Sequence, residues 1–383
     1  VSTTAAQGFV AAGVTAGLKP SGKADLALVR NLGPRFDAAA VFTSNRVKAA
    51  PVTWSEQVVA DGRLDAVILN SGGANACTGP EGFGDTHQTA EAVAAALEVA
   101  SADVAVCSTG LIGVRLPMDK VLAAVPGLTG ALTVDGGQAA AEAIMTTDTV
   151  PKTAVRQGKG WTVGGMAKGA GMLAPGLATM LVVITTDAAV DAGQLDASLR
   201  AATKVSFDRA DSDGCMSTND TVILMASGAS GTTPDSGEFT QVLTDLCQDL
   251  ARQLIGDAEG ASHDIAITVV NAATEDEAVT VARAVARSNL FKCAVFGKDP
   301  NWGRVLSAVG TTDAAFEPDR IDVTFNGVQV CRNGGIGDPR ELVDLTPREV
   351  TVEIDLHAGD ARATILTNDL TYDYVKENAE YST

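Results

Sequence analysis

Apolar and polar positions divide the chain into short strand-like runs and longer helix-like ones. Asp65–Leu69 (DAVIL), Asp103–Cys107 and Met180–Thr186 are brief apolar or β-branched runs bounded by polar residues, which predicts buried strands. Shorter strand-like patches stand at Leu26–Val29 and Ala40–Phe42, inside a Gly- and Ala-rich opening from Gly8 to Pro51. Ala90, Val93, Ala94 and Leu97 recur at the spacing of one helix face, with Asp85 and Thr86 ahead of them as N-cap residues. Further helices are predicted over Gln138–Met145, after a cap at Asp191 (core face Leu195, Leu199 and Ala202), over Glu238–Ile255 and over Glu275–Arg287. Thr221–Ala226 follows the polar stretch Ser206–Asp220 as a strand, and Ile265, Ile267 and Val269 alternate as another.

Toward the C-terminus the period changes to two. Ile321, Val323 and Phe325 alternate, Asn326-Gly327 marks a hairpin turn, and Val328 and Val330 resume the alternation. Val350, Val352, Ile354 and Leu356 repeat the pattern before a returning strand at Ala361–Leu366. Repeated strand-then-polar-loop units with helices between them predict a layered α/β main domain over residues 1–285. A smaller α+β lobe is expected over 286–383.

Composition narrows the partners. The 383 residues are 46% apolar, enough for a sizeable core, but only 4% aromatic, which argues against a stacking platform for bases or sugars. The net charge of −19 repels nucleic acid and anionic membrane surfaces, while leaving a cationic small substrate open. Six Cys form no CxxC pair and the three His are far apart in sequence, so a metal site has little support. Cys107 and Cys247 sit in apolar runs and read as small buried hydrophobes, which suits a reducing cytoplasm. No run of about 18 apolar residues is present, and the first residues lack the basic and apolar parts of a signal peptide.

The candidate chemistry centres on Lys168–Asp187, KGAGMLAPGLATMLVVITTD. Its first half, rich in Gly and small residues, predicts a tight loop with exposed amides. Thr179 lies where that loop enters the strand, a rigid mount with room for a substrate. The phosphate-binding pattern GxxxxGK[ST] is absent, as are GxSxG and any Ser–His–Asp arrangement. A Thr nucleophile without His can use its own α-amine as base, once the preceding peptide bond is cut. The reference pKa of that amine, about 7.7–8.0, suits the task. Ala178-Thr179 is the bond a Thr hydroxyl would cleave by attacking the preceding carbonyl.

These stretches have counterparts in one family. KGAGMLAPGLATMLVVITTDA resembles the self-cleaving segment of the ornithine acetyltransferases of arginine biosynthesis, a family that includes bifunctional glutamate N-acetyltransferases. NSGGANACTG at 70–79, STGLIGVRLPMDK at 108–120, IMTTDTVPK at 144–152, STNDTV at 217–222, DPNWGR at 299–304 and the final DLTYDYVKENAEYST resemble it in the same order. The resemblance runs from residue 8 to the last residue. It implies an α/β/β/α-type main domain, cut between Ala178 and Thr179 into chains 1–178 and 179–383 that pair as α2β2. Thr179 would be both cleavage residue and nucleophile, with the Thr109 hydroxyl and Gly110 amide as oxyanion hole. Thr146, Lys168, Thr179, Glu259, Asn378 and Thr383 would contact substrate, Lys168 pairing with a carboxylate and Glu259 with an ammonium. Thr147, beside Thr146, has the same chemistry. The implied reaction is ping-pong transfer of acetyl from N2-acetylornithine to glutamate, with acetyl-CoA as a further donor in bifunctional members and no metal or organic cofactor. Around Glu259 the chain departs from many members, with Ala258 in place of Gly and His263 in place of Lys. The rival reading is a self-processing aminopeptidase or amidase, which passes its acyl group to water.

Overall fold

The protein, described here by a computed structural model, is defined over residues 2–174 and 180–380. The first sheet runs in the order β1 (Phe9–Val14), β2 (Leu26–Asn31), β4 (Ala66–Ser71) and β5 (Val104–Thr109), the last two parallel. The second runs β3 (Asp37–Phe42), β9 (Thr221–Ala226), β8 (Leu181–Thr186), β7 (Trp161–Lys168) and β6 (Lys152–Gly158). Within it β8 and β9 are parallel and the other neighbours antiparallel.

The sheets stack face to face. Val29, Val67 and Leu69 of the first meet Met166, Leu181, Val183 and Ile223 of the second. Helices α2 (Gly79–Leu97) and α3 (Met118–Gly130) cover the outside of the first sheet, where Val93, Leu97, Val125 and Leu128 pack on Leu28 and Ile68. Helices α5 (Ala192–Lys204) and α6 (Ser236–Gly256) cover the second, where Leu195, Leu199, Leu243 and Leu250 pack on Val182, Ile184 and Leu224. This is the expected α/β/β/α layering. It explains why β8 reads as an unbroken apolar run rather than an alternating one. Leu181 and Val183 face the other sheet, Val182 and Ile184 face helices, and all four are buried. Each such side chain contributes about 1.5–3 kcal/mol on leaving water.

Shorter elements flank the layers. Helix α1 (Ala50–Val58) is tied to β5 by bonds from Trp54 Nε1 and Ser55 Oγ to the carbonyls of Val104 and Val106. Helix α4 (Gly137–Ala143) lies on β1 so closely that a Cβ at Gly13 would stand 2.1 Å from the Ala139 carbonyl.

A third sheet has the order β13 (Gly335–Ile336), β12 (Val328–Arg332), β11 (Asp322–Phe325), β14 (Glu349–Asp355), β10 (Asp264–Ala272) and β15 (Ala361–Asn368). Its buried face shares a core with α7 (Glu275–Ala286), α8 (Asn289–Phe296) and α9 (Trp302–Val309). Here burial alternates, Val350, Val352 and Ile354 inward and Glu349, Thr351 and Glu353 outward, because the other face meets solvent. The Asn326-Gly327 turn has positive φ at both residues, as a two-residue hairpin needs. Because β10 lies inside this sheet and α7 packs on it, we place the start of the lobe ahead of Asp264; a boundary at 286 would separate α7 from the sheet it covers. The last described helix is α10 (Tyr372–Glu380).

Two local expectations are corrected and one hairpin is added. Helix α2 begins at Gly79 with Pro80 in its first turn, so Asp85 is no cap but a buried helical residue bound by Arg115 at 2.6 and 2.9 Å. The β6–β7 hairpin went unread because Gly164-Gly165 looks like loop composition. Both glycines are strand residues, and a Cβ at Gly164 would lie 2.1 Å from the Ser2 carbonyl, so a close backbone crossing requires glycine there. Lys168 therefore closes a strand rather than opening a loop.

Candidate active site

Four strand ends meet at one place. In the second sheet Lys168, at the end of β7, pairs with Leu181 at the start of β8, which pairs with Thr221 at the start of β9. From the first sheet β5 ends at Thr109, and the Lys168 ammonium donates to the Thr109 hydroxyl oxygen at 3.1 Å. Both side chains are buried. The Thr109 hydroxyl proton has no acceptor among the described residues, so it is free to donate.

Loops from distant parts of the sequence brace this junction. The Gly73 amide donates to the Thr109 carbonyl at 3.0 Å, and Asn219 Nδ2 donates to the carbonyls of Ala74 and Ser108 at 2.6 and 2.8 Å. Ser108 Oγ in turn donates to Asn70 at 2.5 Å. Gly110 has φ +133°, and a Cβ on it would strike the backbone at 2.5 Å from the Gly73 nitrogen. The stretches at 70–79, 108–120 and 217–222 thus interlock around the end of β5.

Charge is arranged around Lys168. Burial lowers the pKa of its ammonium, and Asp148 is the strongest opposing influence. Asp148 Oδ1 accepts from Lys152 Nζ at 2.6 Å and from the Gly169 amide at 2.7 Å, and its Oδ2 accepts from the Thr146 amide at 2.9 Å. Burial alone would push this carboxyl up, but the charges of Lys168 and Lys152 outweigh it and hold it down at about 2. Lys152 is fully buried and also donates to Asp257 at 2.6 Å. Neither Asp148 nor Lys152 was singled out from the sequence; their motif, IMTTDTVPK, was.

Asp220 is a further omission. It is buried, its Oδ1 accepts from the Met180 amide at 3.0 Å, and its Oδ2 has no partner among the described residues. Burial raises its carboxyl well above the ordinary range, against the pull of the Met180 amide and Lys168. It holds the residue directly after Thr179. The available signal was an Asp immediately before a buried strand, in STNDTV.

Glu259 occupies the loop after α6. Thr147 Oγ1 donates to its Oε1 at 2.8 Å and Asn378 Nδ2, on α10, to its Oε2 at 3.0 Å. Of the two neighbouring threonines, Thr147 therefore reaches Glu259 with its hydroxyl, while Thr146 gives its amide to Asp148. The carboxylate rests on Gly171, where a Cβ would stand 2.6 Å from an oxygen. Glu259 also lines a cavity of about 270 Å³ together with Asp213, Arg287, Lys292 and Tyr374. His263 is buried, with Nδ1 2.7 Å from Asp369 and Nε2 3.0 Å from the Leu345 carbonyl. The structure thus brings Thr109, Gly110 and Lys168 together, and Glu259 with Asn378 beside them. Ala178, Thr179 and Thr383 lie outside the described residues.

All six cysteines are free. Cys107 and Cys247 are buried, and burial alone pushes the Cys107 thiol up to about 12. Among the described residues no His, Cys, Asp and Glu side chains group to hold a metal, and no helix is long and apolar enough to cross a membrane.

Residues 10–383 match the ArgJ family. A Streptomyces coelicolor protein named arginine biosynthesis bifunctional protein ArgJ is 67% identical over 382 residues, covering all of both chains. A Thermobifida fusca protein of the same name is 64% identical over 383 residues, again covering all of both. Among solved structures, a Mycobacterium tuberculosis ornithine acetyltransferase complexed with ornithine is 61% identical, covering 47% of this chain and 96% of that one, with a TM-score of 0.45. The Bacillus halodurans arginine biosynthesis bifunctional protein ArgJ is 36% identical, covering 51% and 97%, with a TM-score of 0.49. The matched span includes every stretch that gathers around Thr109 and Lys168, and on that extent of agreement this chain belongs to the ArgJ family.

Proposed function

We propose that this chain is an acetyltransferase of arginine biosynthesis that carries acetyl from N2-acetylornithine to glutamate through an ester on Thr179. The observation that carries the reading is the buried Lys168–Thr109 hydrogen bond, set against the Met180 amide that Asp220 holds.

Maturation comes first. The Thr179 hydroxyl oxygen adds to the Ala178 carbonyl, the C–N bond breaks, and the freed nitrogen takes the proton. Water then hydrolyses the resulting ester, leaving residues 1–178 with a carboxylate and Thr179 with a free α-amine. In the first transfer step that amine takes the Thr179 hydroxyl proton as the oxygen adds to the acetyl carbonyl of acetylornithine. The amide C–N bond breaks, the proton passes to the departing α-nitrogen, and ornithine leaves. Glutamate's α-amine then attacks the acetyl ester, and a proton returns to the Thr179 oxygen as the C–O bond breaks.

The surroundings suit this chemistry. Because Lys168 donates to the Thr109 oxygen, the hydroxyl's own proton remains for the developing oxyanion, beside the Gly110 amide. One such donor is worth roughly 100- to 1,000-fold in kcat. Glu259 is the proposed partner of the ornithine ammonium, a role its bracing by Thr147 and Asn378 supports. Thr146 and Thr383 complete the proposed substrate contacts. The relatives are named bifunctional, and we assign the second activity to acetyl-CoA as an alternative donor to the same Thr179. The proposed assembly is a pair of cleaved chains, α2β2, and the proposed compartment the cytoplasm, where six free thiols would persist.

The test uses acetyl-labelled acetylornithine. Label is expected on the fragment that begins at Thr179, and its release is expected to need glutamate. Label that persists on the protein after Thr179→Ala overturns the nucleophile, and release to water at the same rate without glutamate favours the hydrolase reading.

A further inference from the structure

The cavity beside Glu259 holds a cation that the reaction above does not use. Lys292, on α8, is 6% exposed and forms part of the cavity wall with Glu259 and Asp213. Its ammonium carries three donors, of which one goes to the Ser212 carbonyl. The carboxylates around it are engaged elsewhere. Asp369 takes His263 and Ser262, Asp211 takes Arg287 Nε at 2.7 Å, and Asp213 takes the amides of Met172 and Cys215. Among the described residues none of them lies within ion-pair distance of Lys292. Burial lowers the pKa of this ammonium, opposed first by the charge of Asp213. A buried charge whose donors are not all used among the described residues is costly to maintain, and here the side chain lines an open cavity large enough for an amino acid. Arg287 lines the same cavity, with only its Nε committed to Asp211 among the described residues.

We propose that Lys292, seconded by Arg287, receives the side-chain carboxylate of the acetyl acceptor, and so sets the preference for a dicarboxylic amino acid over its amide. This rests on the acetyl-Thr179 reading given above. In a ping-pong exchange the donor's amino acid leaves before the acceptor enters, so one cavity serves both. The two share an α-amino-acid skeleton but end in opposite charges, an ammonium on ornithine and a carboxylate on glutamate. A lining that carries both acids, Glu259 and Asp213, and bases, Lys292 and Arg287, matches each in turn. Glutamine fills the same space without the charge, leaving Lys292 unpaired, which is how a polar site rejects an isostere.

The experiment compares wild type, Lys292→Met and Arg287→Gln in the full-length self-processed protein. Two readouts are taken: formation of acetyl-enzyme from acetylornithine, and transfer from acetyl-enzyme to glutamate or glutamine. For Lys292→Met the glutamate KM is expected to rise roughly 10- to 100-fold, and the preference for glutamate over glutamine to fall by the same order. Acetyl-enzyme formation is expected to fall by a clearly smaller factor than transfer to glutamate, since acetylornithine carries no side-chain carboxylate for Lys292 to pair with. Arg287→Gln, more exposed, should shift the preference in the same direction by about threefold. Equal losses with both acceptors, or an unchanged glutamate KM, overturn the assignment. If Lys292→Met forms no acetyl-enzyme at all, Arg287→Gln decides, and an unchanged preference there overturns it. Absence of acetyl-enzyme in the wild type is a separate result, which would remove the Thr179 ester itself.

Discussion

At the residue scale the site is governed by how few charges are buried and how each is answered. Lys168 and Lys152 share Asp148, and Asp148 in return is held at about 2 instead of its ordinary 3.8. A carboxyl whose folded pKa is depressed adds stability that is fully present above its unfolded value and is lost as pH falls through the folded one. Asp148 should therefore contribute roughly 2 kcal/mol from pH 7 down to about 4, and progressively less between about 4 and 2. Urea unfolding of wild type and Asp148→Asn across that range checks it. The stability gap should be constant above about pH 4 and narrow below it, and a gap that stays open to pH 2 would show that the charge is not what matters.

At the element scale, strand ends and glycines decide where functional groups sit. Two glycines near the site act differently. At Gly110 a side chain would run into the backbone of the 70–76 loop, so no substitution is accommodated without moving that loop. At Gly171 the obstacle is the Glu259 carboxylate, the far end of a side chain that can swing away. Gly171→Ala should accordingly leave the melting temperature within about 3 °C of wild type, because the backbone need not move. It should raise the KM for acetylornithine about tenfold or more by displacing the ammonium partner, with a smaller change in kcat. A melting shift without a KM change would mean that Glu259 does not hold the donor.

At the scale of the whole molecule, self-cleavage and stability have to coexist. The proposed cut lies in the connection between β7 and β8, which are neighbours inside the second sheet. After the cut β8 still pairs with β7 on one side and β9 on the other, and both of its faces remain buried. The two pieces, 1–178 and 179–383, should therefore appear as separate masses under denaturing conditions and as one species by native sizing. A fully active preparation with an intact bond after Ala178 would refute maturation by cleavage.

Much of this was legible in the chain alone, and the limits were physical. Runs such as the AVIL of 66–69 and the LVVI of 181–184 declare buried strands because burial on both faces leaves few polar positions, and the alternation at Val350–Leu356 declares a sheet with one wet face. The motifs around Thr109 and Lys168 marked stretches that the fold brings together. Their meeting could not be read, because Thr109 and Lys168 are neighbours only after two sheets stack. The β6–β7 hairpin was hidden because glycine forced by a backbone crossing looks, in one dimension, like glycine in a turn. Asp148, Lys152, Asp220 and Lys292 carry ordinary letters in ordinary places; only burial makes their charges scarce, and only the tertiary structure decides which side chains are buried.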